Sequence, residues 1–233
     1  LKPRWHEVTA FFGGTFDPPH LGHLKAIRGL FSSPGVKKVR IIPSPIPPHK
    51  SSFASIEQRL KMAELNFAPL LGRDVEIDFT EIERSVRFPQ QPTYSYDTLC
   101  ELRREISELA FVIGTDQLEK LDTWHRFPDI LNLCHWIVLL RKPAGSEKAD
   151  ETLRRLASSG LVQSVTDHQW KVQGQVQGNA RGNTWIELVP TDAPALSSSL
   201  VLETISKTGQ PPEDALSQEV QSYLKLHRIY GMK

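Results

Sequence analysis

Apolar and polar positions along this chain switch repeatedly between two periods. Val8 to Phe12 is a short apolar run of strand type. His20 to Phe31 takes up a helical spacing, with Leu21, Leu24, Ile27 and Leu30-Phe31 on one face. Val36 to Pro43 returns to strand character, and a proline-rich loop runs on from Pro43 to Ser55. Ser55 followed by Gln58 is a capping-box pattern, which predicts a helix to about Ala68. Val75 to Phe79 predicts a third strand, and Thr93 or Ser95 can cap a helix that ends near Ile106. Leu109 to Ile113 is wholly apolar, as expected at the centre of a sheet covered on both faces. Leu118 to Leu131 reads as a broken helix and His135 to Leu140 as a fifth strand. Trp185 to Val189 is a late strand, and Ser197 to Ser206 and Ser217 to Ile229 are closing helices.

The repeated strand–helix order predicts an α/β fold: a mostly parallel sheet with helices on both faces. Ala144 to Asn183 is less regular, and from Gln173 to Gly182 it is polar and rich in Gly and Gln. It reads as an excursion or flexible segment, about 144–183, within a single domain of residues 1–233 whose C-terminal part, 197–233, is helical. The 233 residues suffice for a substantial core.

Charge narrows the function classes. Lys and Arg total 28 against 27 Asp and Glu, a net charge of +1, so neither a polybasic nucleic-acid surface nor an acidic tail is expected. Cys100 and Cys134 form no CxxC and no pattern with histidine, which argues against a disulfide framework or a zinc knuckle. The longest apolar run, Trp136 to Leu140, is far below the ~18 residues of a membrane span. Leu1 to His6 lacks the apolar region of a signal peptide. The expectation is a cytoplasmic protein with small-molecule partners, no nucleic acid and no membrane; a homo-oligomer stays open.

The candidate chemistry follows the first strand: Gly13-Gly14-Thr15-Phe16-Asp17-Pro18-Pro19-His20-Leu21-Gly22-His23. Two glycines at a strand end allow close backbone approach to a ligand. Asp17 before two prolines marks a helix start, with Pro18 or Pro19 suited to the first turn. The free N–H groups of a helix N-terminus favour an anion. His20 and His23, three apart on that turn, share a face. Protonated, they are disfavoured by the helix dipole; beside a phosphate they can donate hydrogen bonds. A Gly-Gly turn alone is weak evidence, and two histidines at this spacing also suit a metal, though no third ligand stands nearby. The string is neither GxxxxGK[ST] nor GxGxxG.

This string resembles the signature of the HxGH nucleotidyltransferase superfamily, here His20-Leu21-Gly22-His23, and within it the bacterial nicotinate-nucleotide adenylyltransferases. The likeness continues in order through Ile42-Pro43 with Pro47-Pro48-His49-Lys50, Arg59 and Met62, Pro92-Thr93-Tyr94-Ser95 with Thr98-Leu99, Ile113-Gly114-Thr115-Asp116, Thr123-Trp124 and Arg141-Lys142-Pro143. The resemblance implies a doubly wound, Rossmann-like sheet of strand order 3-2-1-4-5. In such a sheet ligands bind where strand order reverses, outside the strand ends. It also implies the activity: attack of the nicotinate mononucleotide phosphate on the α-phosphorus of ATP, giving deamido-NAD and pyrophosphate. Mg²⁺ would accompany ATP.

Site roles follow from the same resemblance. Gly13, Gly14, Thr15 and Phe16 would offer N–H groups to phosphates, together with Gly114 and Arg141. His20, His23 and Lys50 would be catalytic, with His23 closest to the reacting centre. Asp116 would accept from a ribose hydroxyl, although its residue type alone equally suits a helix N-cap. Tyr94, Ser95 and Trp124 would line the nicotinate pocket, Trp124 stacking on the ring. Ser197, Ser198 and Ser199 would contact phosphates. Two departures stand out. Leu202 occupies the place of the family's arginine in the late I-S-S-T-x-[IV]-R segment, and Ser95 that of a threonine. A hydrogen bond to a charged group is worth about 1.5–3 kcal/mol, so the missing arginine opens one alternative, and a second stays within the enzymes. One is a nucleotide-binding protein with weakened or lost catalysis. The other is an adenylyltransferase preferring nicotinamide mononucleotide.

Overall fold

The computed structural model describes residues 7–33, 35–47, 52–141, 145–174 and 183–232. In chain order these form β1 (Val8–Gly14), α1 (Leu21–Leu30), β2 (Val36–Pro43), α2 (Ile56–Phe67), β3 (Val75–Ile77), α3 (Thr80–Arg87), α4 (Ser95–Leu102), β4 (Leu109–Gly114) and α5 (Thr115–Leu118). After 3-10 turns at Leu121–Thr123 and Asp129–Asn132 come β5 (His135–Arg141), α6 (Gly145–Ser158), β6 (Val162–Thr166), β7 (Gln169–Val172), β8 (Trp185–Thr191), α7 (Ser198–Thr208) and α8 (Gln218–Leu226), and a last 3-10 turn spans Ile229–Gly231. Among the described residues eight strands form one sheet in the order β3-β2-β1-β4-β5-β8-β7-β6.

The expected 3-2-1-4-5 order is therefore present and extended. β1 lies parallel to β4, with Thr9 opposite Leu109 and Phe12 opposite Val112. β4 is parallel to β5 and β5 to β8. The apolar Leu109–Ile113 run is buried throughout, which fits a strand covered on both faces.

The stretch read as irregular carries three elements. α6 buries Ala149, Leu153 and Leu156 on one stripe. β6 and β7 form an antiparallel hairpin that joins the parallel part through β7 and β8. β6 buries only Val162 completely, so its sequence lacks the alternation that would have marked it. α3 was missed as well. It buries only Glu81, and it is started by Asp78, whose Oδ1 accepts from Thr80 N at 2.8 Å. Val75–Ile77 consequently ends two residues before the expected strand end at Phe79.

The expected cap at Ser55 is present, and two further serines cap the closing helices. Ser55 and Gln58 form the reciprocal capping box of α2, and Ser197 and Ser217 accept from Leu200 N and Val220 N. Two expectations are corrected. Tyr94, not Thr93 or Ser95, precedes α4, which ends at Leu102; the Thr93 hydroxyl instead donates to Ile46 O at 3.1 Å. Pro18 and Pro19 precede α1 rather than opening it, because the first helical N–H, that of Leu21, donates outside the helix to Ala215 O at 2.8 Å.

The chain divides into two compact units. One comprises the chain to Phe12, Leu30–Val39 and Tyr94–Asp192; the other Gly13–Gly29, Arg40–Thr93 and the chain from Ala193. The second has its own core, in which Ala54 and Met62 pack with Val201, Ile205, Leu216, Val220, Leu224 and Ile229.

Candidate active site

The motif loop is held open by what surrounds its backbone. Phe16 adopts a left-handed φ of +51°, a conformation that costs a non-glycine residue about 1–3 kcal/mol. Its ring is buried, edge-on to His23 at 5.3 Å and to Phe67 at 5.4 Å. Gly14 leaves room for that ring, since a Cβ there would stand 2.8 Å from Phe16 Cε1. Gly14 O also accepts from Ser44 N at 2.9 Å, tying the loop to the exit of β2.

Asp17 and Arg59 complete the support; the sequence marks Asp17 only as a helix start and gives Arg59 no site role. Asp17 is fully buried, and its carboxylate accepts from Phe53 N at 2.6 Å, from Ala54 N at 3.2 Å and from the Tyr230 hydroxyl. Arg59, 1% exposed, donates to the carbonyls of Thr15 (2.9 Å), Ser44 (2.6 Å), Pro45 (2.8 Å) and Ala54 (3.3 Å). Burial pulls the guanidinium below its ordinary pKa, and the neighbouring Asp17 charge pulls it back. Burial, then the Asp17 hydrogen bond and charge, push the Tyr230 hydroxyl up, so it stays a donor. The signal in the sequence was weak: an arginine in a helix is ordinarily a surface residue.

The two histidines are stacked, ring centroids 3.6 Å apart at 20°. His20 O accepts from His23 N at 2.9 Å, so His20 caps α1 and His23 stands in its first turn. In return His20 N donates to His23 Nδ1 at 3.1 Å. A ring nitrogen that accepts carries no proton, so the His23 proton in the neutral ring sits on Nε2. His20 is 1% exposed and lies behind its partner, whereas His23 is half-buried. Gly22 is required by the stack, because a Cβ there would lie 2.8 Å from His20 Nδ1.

The C-terminal segment also reaches this loop. Ser197 is occupied as the cap of α7, and Ser198 Oγ donates to Pro18 O at 2.8 Å; Ser199 is exposed. Leu202 is half-buried on α7, and Lys207 pairs with Glu203 at 2.5 Å. Lys50 lies outside the described residues, as does the side chain of Arg141, whose backbone ends β5.

In the other unit, Gly114 ends β4 and caps α5, so Asp116 is a first-turn residue and not the cap. Asp116 is exposed and folds back on Gly114, where an added Cβ would stand 2.6 Å from its Oδ1. Trp124 is half-buried, its ring edge-on to Phe111 at 6.3 Å and tilted against Trp136 at 6.2 Å. Tyr94 stacks on His125 at 4.4 Å, with Tyr96 edge-on to the same imidazole at 6.1 Å, and Ser95 opens α4. Arg126 lies over the Tyr96 ring at 5.3 Å, and the Tyr96 hydrogen bond raises its pKa. His125 and Arg126 escaped the sequence reading although they directly follow Trp124. Among the described residues no group of three or more His, Cys, Asp or Glu side chains converges to hold a metal, and no helix is long and apolar enough to cross a membrane.

A strained loop thus leads into a helix N-terminus, backed by a buried carboxylate and guanidinium. Residues 11–203 match the family model described as Cytidylyltransferase-like. The chain is 33% identical over 228 residues to the probable nicotinate-nucleotide adenylyltransferase of Serratia proteamaculans (strain 568), covering 95% of this chain and 94% of that one. It is 34% identical over 227 residues to that of Sodalis glossinidius (strain morsitans), covering 96% and 97%. The Plasmodium falciparum nicotinic acid mononucleotide adenylyltransferase complexed with NaAD superposes with a TM-score of 0.70 at 13% identity, covering 98% and 99%, a likeness of fold. With matches of this extent, the chain belongs to the cytidylyltransferase-like family and, within it, to the family of the nicotinate-nucleotide adenylyltransferases.

Proposed function

We propose that this chain transfers the adenylyl group of ATP to nicotinate mononucleotide. The observation that carries the reading is the placement of His23 in the first turn of α1, its Nδ1 accepting from the His20 amide, at a helix N-terminus that favours an anion. The near full-length likeness to relatives named for this activity supports the choice of substrates.

A phosphate monoester loses its second proton near pH ~6, so the nucleophile needs no general base. Its oxygen bonds to the α-phosphorus in line with the leaving group. The bond from that phosphorus to the bridging oxygen breaks, and pyrophosphate departs. The protein has to hold two repelling anions in line and stabilise the charge on the equatorial and leaving oxygens. Such positioning can supply about 7–11 kcal/mol of the barrier. The N–H groups of Gly13 to Phe16 would cradle phosphates, whereas that of Gly114 already donates to Gln117 Oε1 at 3.1 Å; His23 would donate to the α-phosphate region with His20 as its backing ring. Lys50 and Arg141 would add positive charge, and Ser199 a hydroxyl. Asp116 would accept from a ribose hydroxyl. Tyr94, Ser95 and Trp124 would take the nicotinate, with His125 and Arg126 adding N–H donors for its carboxylate. Donors alone leave an amide's NH₂ unmatched, which selects the acid. Mg²⁺ would enter bound to the triphosphate as part of the substrate. The cytoplasm is the expected location.

The test is a side-by-side assay of Mg-ATP with nicotinate or nicotinamide mononucleotide. Pyrophosphate and deamido-NAD from the acid are expected. No dinucleotide above background at millimolar substrate sinks the reading, and faster turnover of the amide replaces the substrate. A second reading, nucleotide binding with weak turnover, is favoured by Leu202. It requires Leu202→Arg to raise kcat/KM for ATP.

A further inference from the structure

We infer that Tyr230 and Asp17 are positioning residues of the adenylyl-transfer reaction, forming a lock that sets the geometry of the phosphate loop from the C-terminal end of the chain. The assignment rests on the reading of function above.

The lock is built around a single buried carboxylate. Asp17 sits in the loop between Phe16 and His20 and is fully buried. Two of its donors, Phe53 N and Ala54 N, belong to the segment that enters α2; the third, the Tyr230 hydroxyl, comes from the last turn of the chain. A buried carboxylate that loses a donor is costly, so each donor constrains where the carboxylate can rest. Tyr230 itself sits at a left-handed φ of +57°, and Ile229 beside it is anchored in the core with Val220 and Leu224. Its hydroxyl is therefore held in place by the packing of the C-terminal helices.

The lock acts on the reacting region through the backbone. Asp17 is held on one side of the left-handed Phe16; on the other, Thr15 O is held by Arg59. Arg59 also grips Ala54 O, the carbonyl of a residue whose N–H binds Asp17. Fixing both neighbours of Phe16 fixes the path of the loop backbone and keeps its ring against His23. Tyr230 and Asp17 thus reach the phosphates through Phe16 and His23 and touch no substrate themselves.

The experiment compares wild type, Tyr230→Phe, Asp17→Asn and the double variant, each checked for native circular dichroism and unfolding midpoint. Wild-type pyrophosphate release from Mg-ATP and nicotinate mononucleotide is the control; its absence sinks the functional reading and says nothing separate about the lock. With wild type active, Tyr230→Phe is expected to fold and to lower kcat/KM for ATP about tenfold, leaving KM for nicotinate mononucleotide within about twofold. The double variant is expected to lose no more than Asp17→Asn alone, because the two groups act as one unit. A Tyr230→Phe protein with a lower midpoint but wild-type kcat/KM overturns the inference, and so do additive losses. If neither single variant folds, the hydrogen bond serves folding alone and the inference is lost.

Discussion

With Nδ1 engaged by the His20 amide, His23 can address a phosphate only through Nε2–H. His23→Ala should lower turnover about 10²–10³-fold, the usual effect of losing one well-placed donor to a developing charge, with the circular dichroism unchanged. A variant that retains most of its rate would remove His23 from the mechanism. Gly22 works one step further back. Gly22→Ala sets a Cβ 2.8 Å from His20 Nδ1, and that ring is 1% exposed and stacked on His23. The expected cost is about 1–3 kcal/mol in urea unfolding together with slower turnover. Leu202 stands where the resemblance leads one to expect an arginine. Leu202→Arg should lower the KM for ATP up to roughly tenfold, as one charged hydrogen bond allows. An unchanged KM would mean that another cation already neutralises the triphosphate.

Among the elements, α2 shows how cleanly a local rule can act. Ser55 accepts from Gln58 N at 3.3 Å while Gln58 Oε1 accepts from Ser55 N at 3.0 Å. Ser55→Ala should therefore cost about 0.5–2 kcal/mol, read from a denaturant midpoint. β8 carries the opposite case, a carboxylate in a buried strand. Burial pushes the Glu187 carboxyl up, and the nearby Ser33 hydroxyl only partly offsets this. Among the described residues neither Ser33 Oγ nor Glu187 Oε2 has a partner in hydrogen-bond geometry. A raised native pKa means the folded state binds more protons than the unfolded one. The stability this group contributes is thus complete below about pH 4, near the unfolded value, and is lost as pH rises through the raised native value. Glu187→Gln should consequently raise the unfolding temperature more at pH 7 than at pH 4. An equal gain at both pH values would contradict the burial argument.

For the whole molecule, a ligand bound only by the folded state adds to stability by mass action, about 2.7 kcal/mol at a hundred times its Kd. Mg-ATP should therefore raise the unfolding temperature progressively with concentration, and a flat response would argue against nucleotide binding. What the sequence could determine was whatever depends on a few neighbouring residues. Strand and helix periods, the cap at Ser55, and the motif string from Gly13 to His23 are all of this kind, since each is decided within about one turn or one strand. α3 and β6 were illegible for the same reason, because neither buries a regular apolar stripe. Only the tertiary structure decided what holds the motif. Ser198 meets Pro18 across 180 residues, Tyr230 meets Asp17 across 213, and Leu21 N finds its acceptor at Ala215. Sequence spacing carries no information about such pairs. They form because the core shared by α2, α7 and α8 brings distant segments together and because a carboxylate, a guanidinium and a helix-start N–H, once buried there, have to find partners or forfeit the fold.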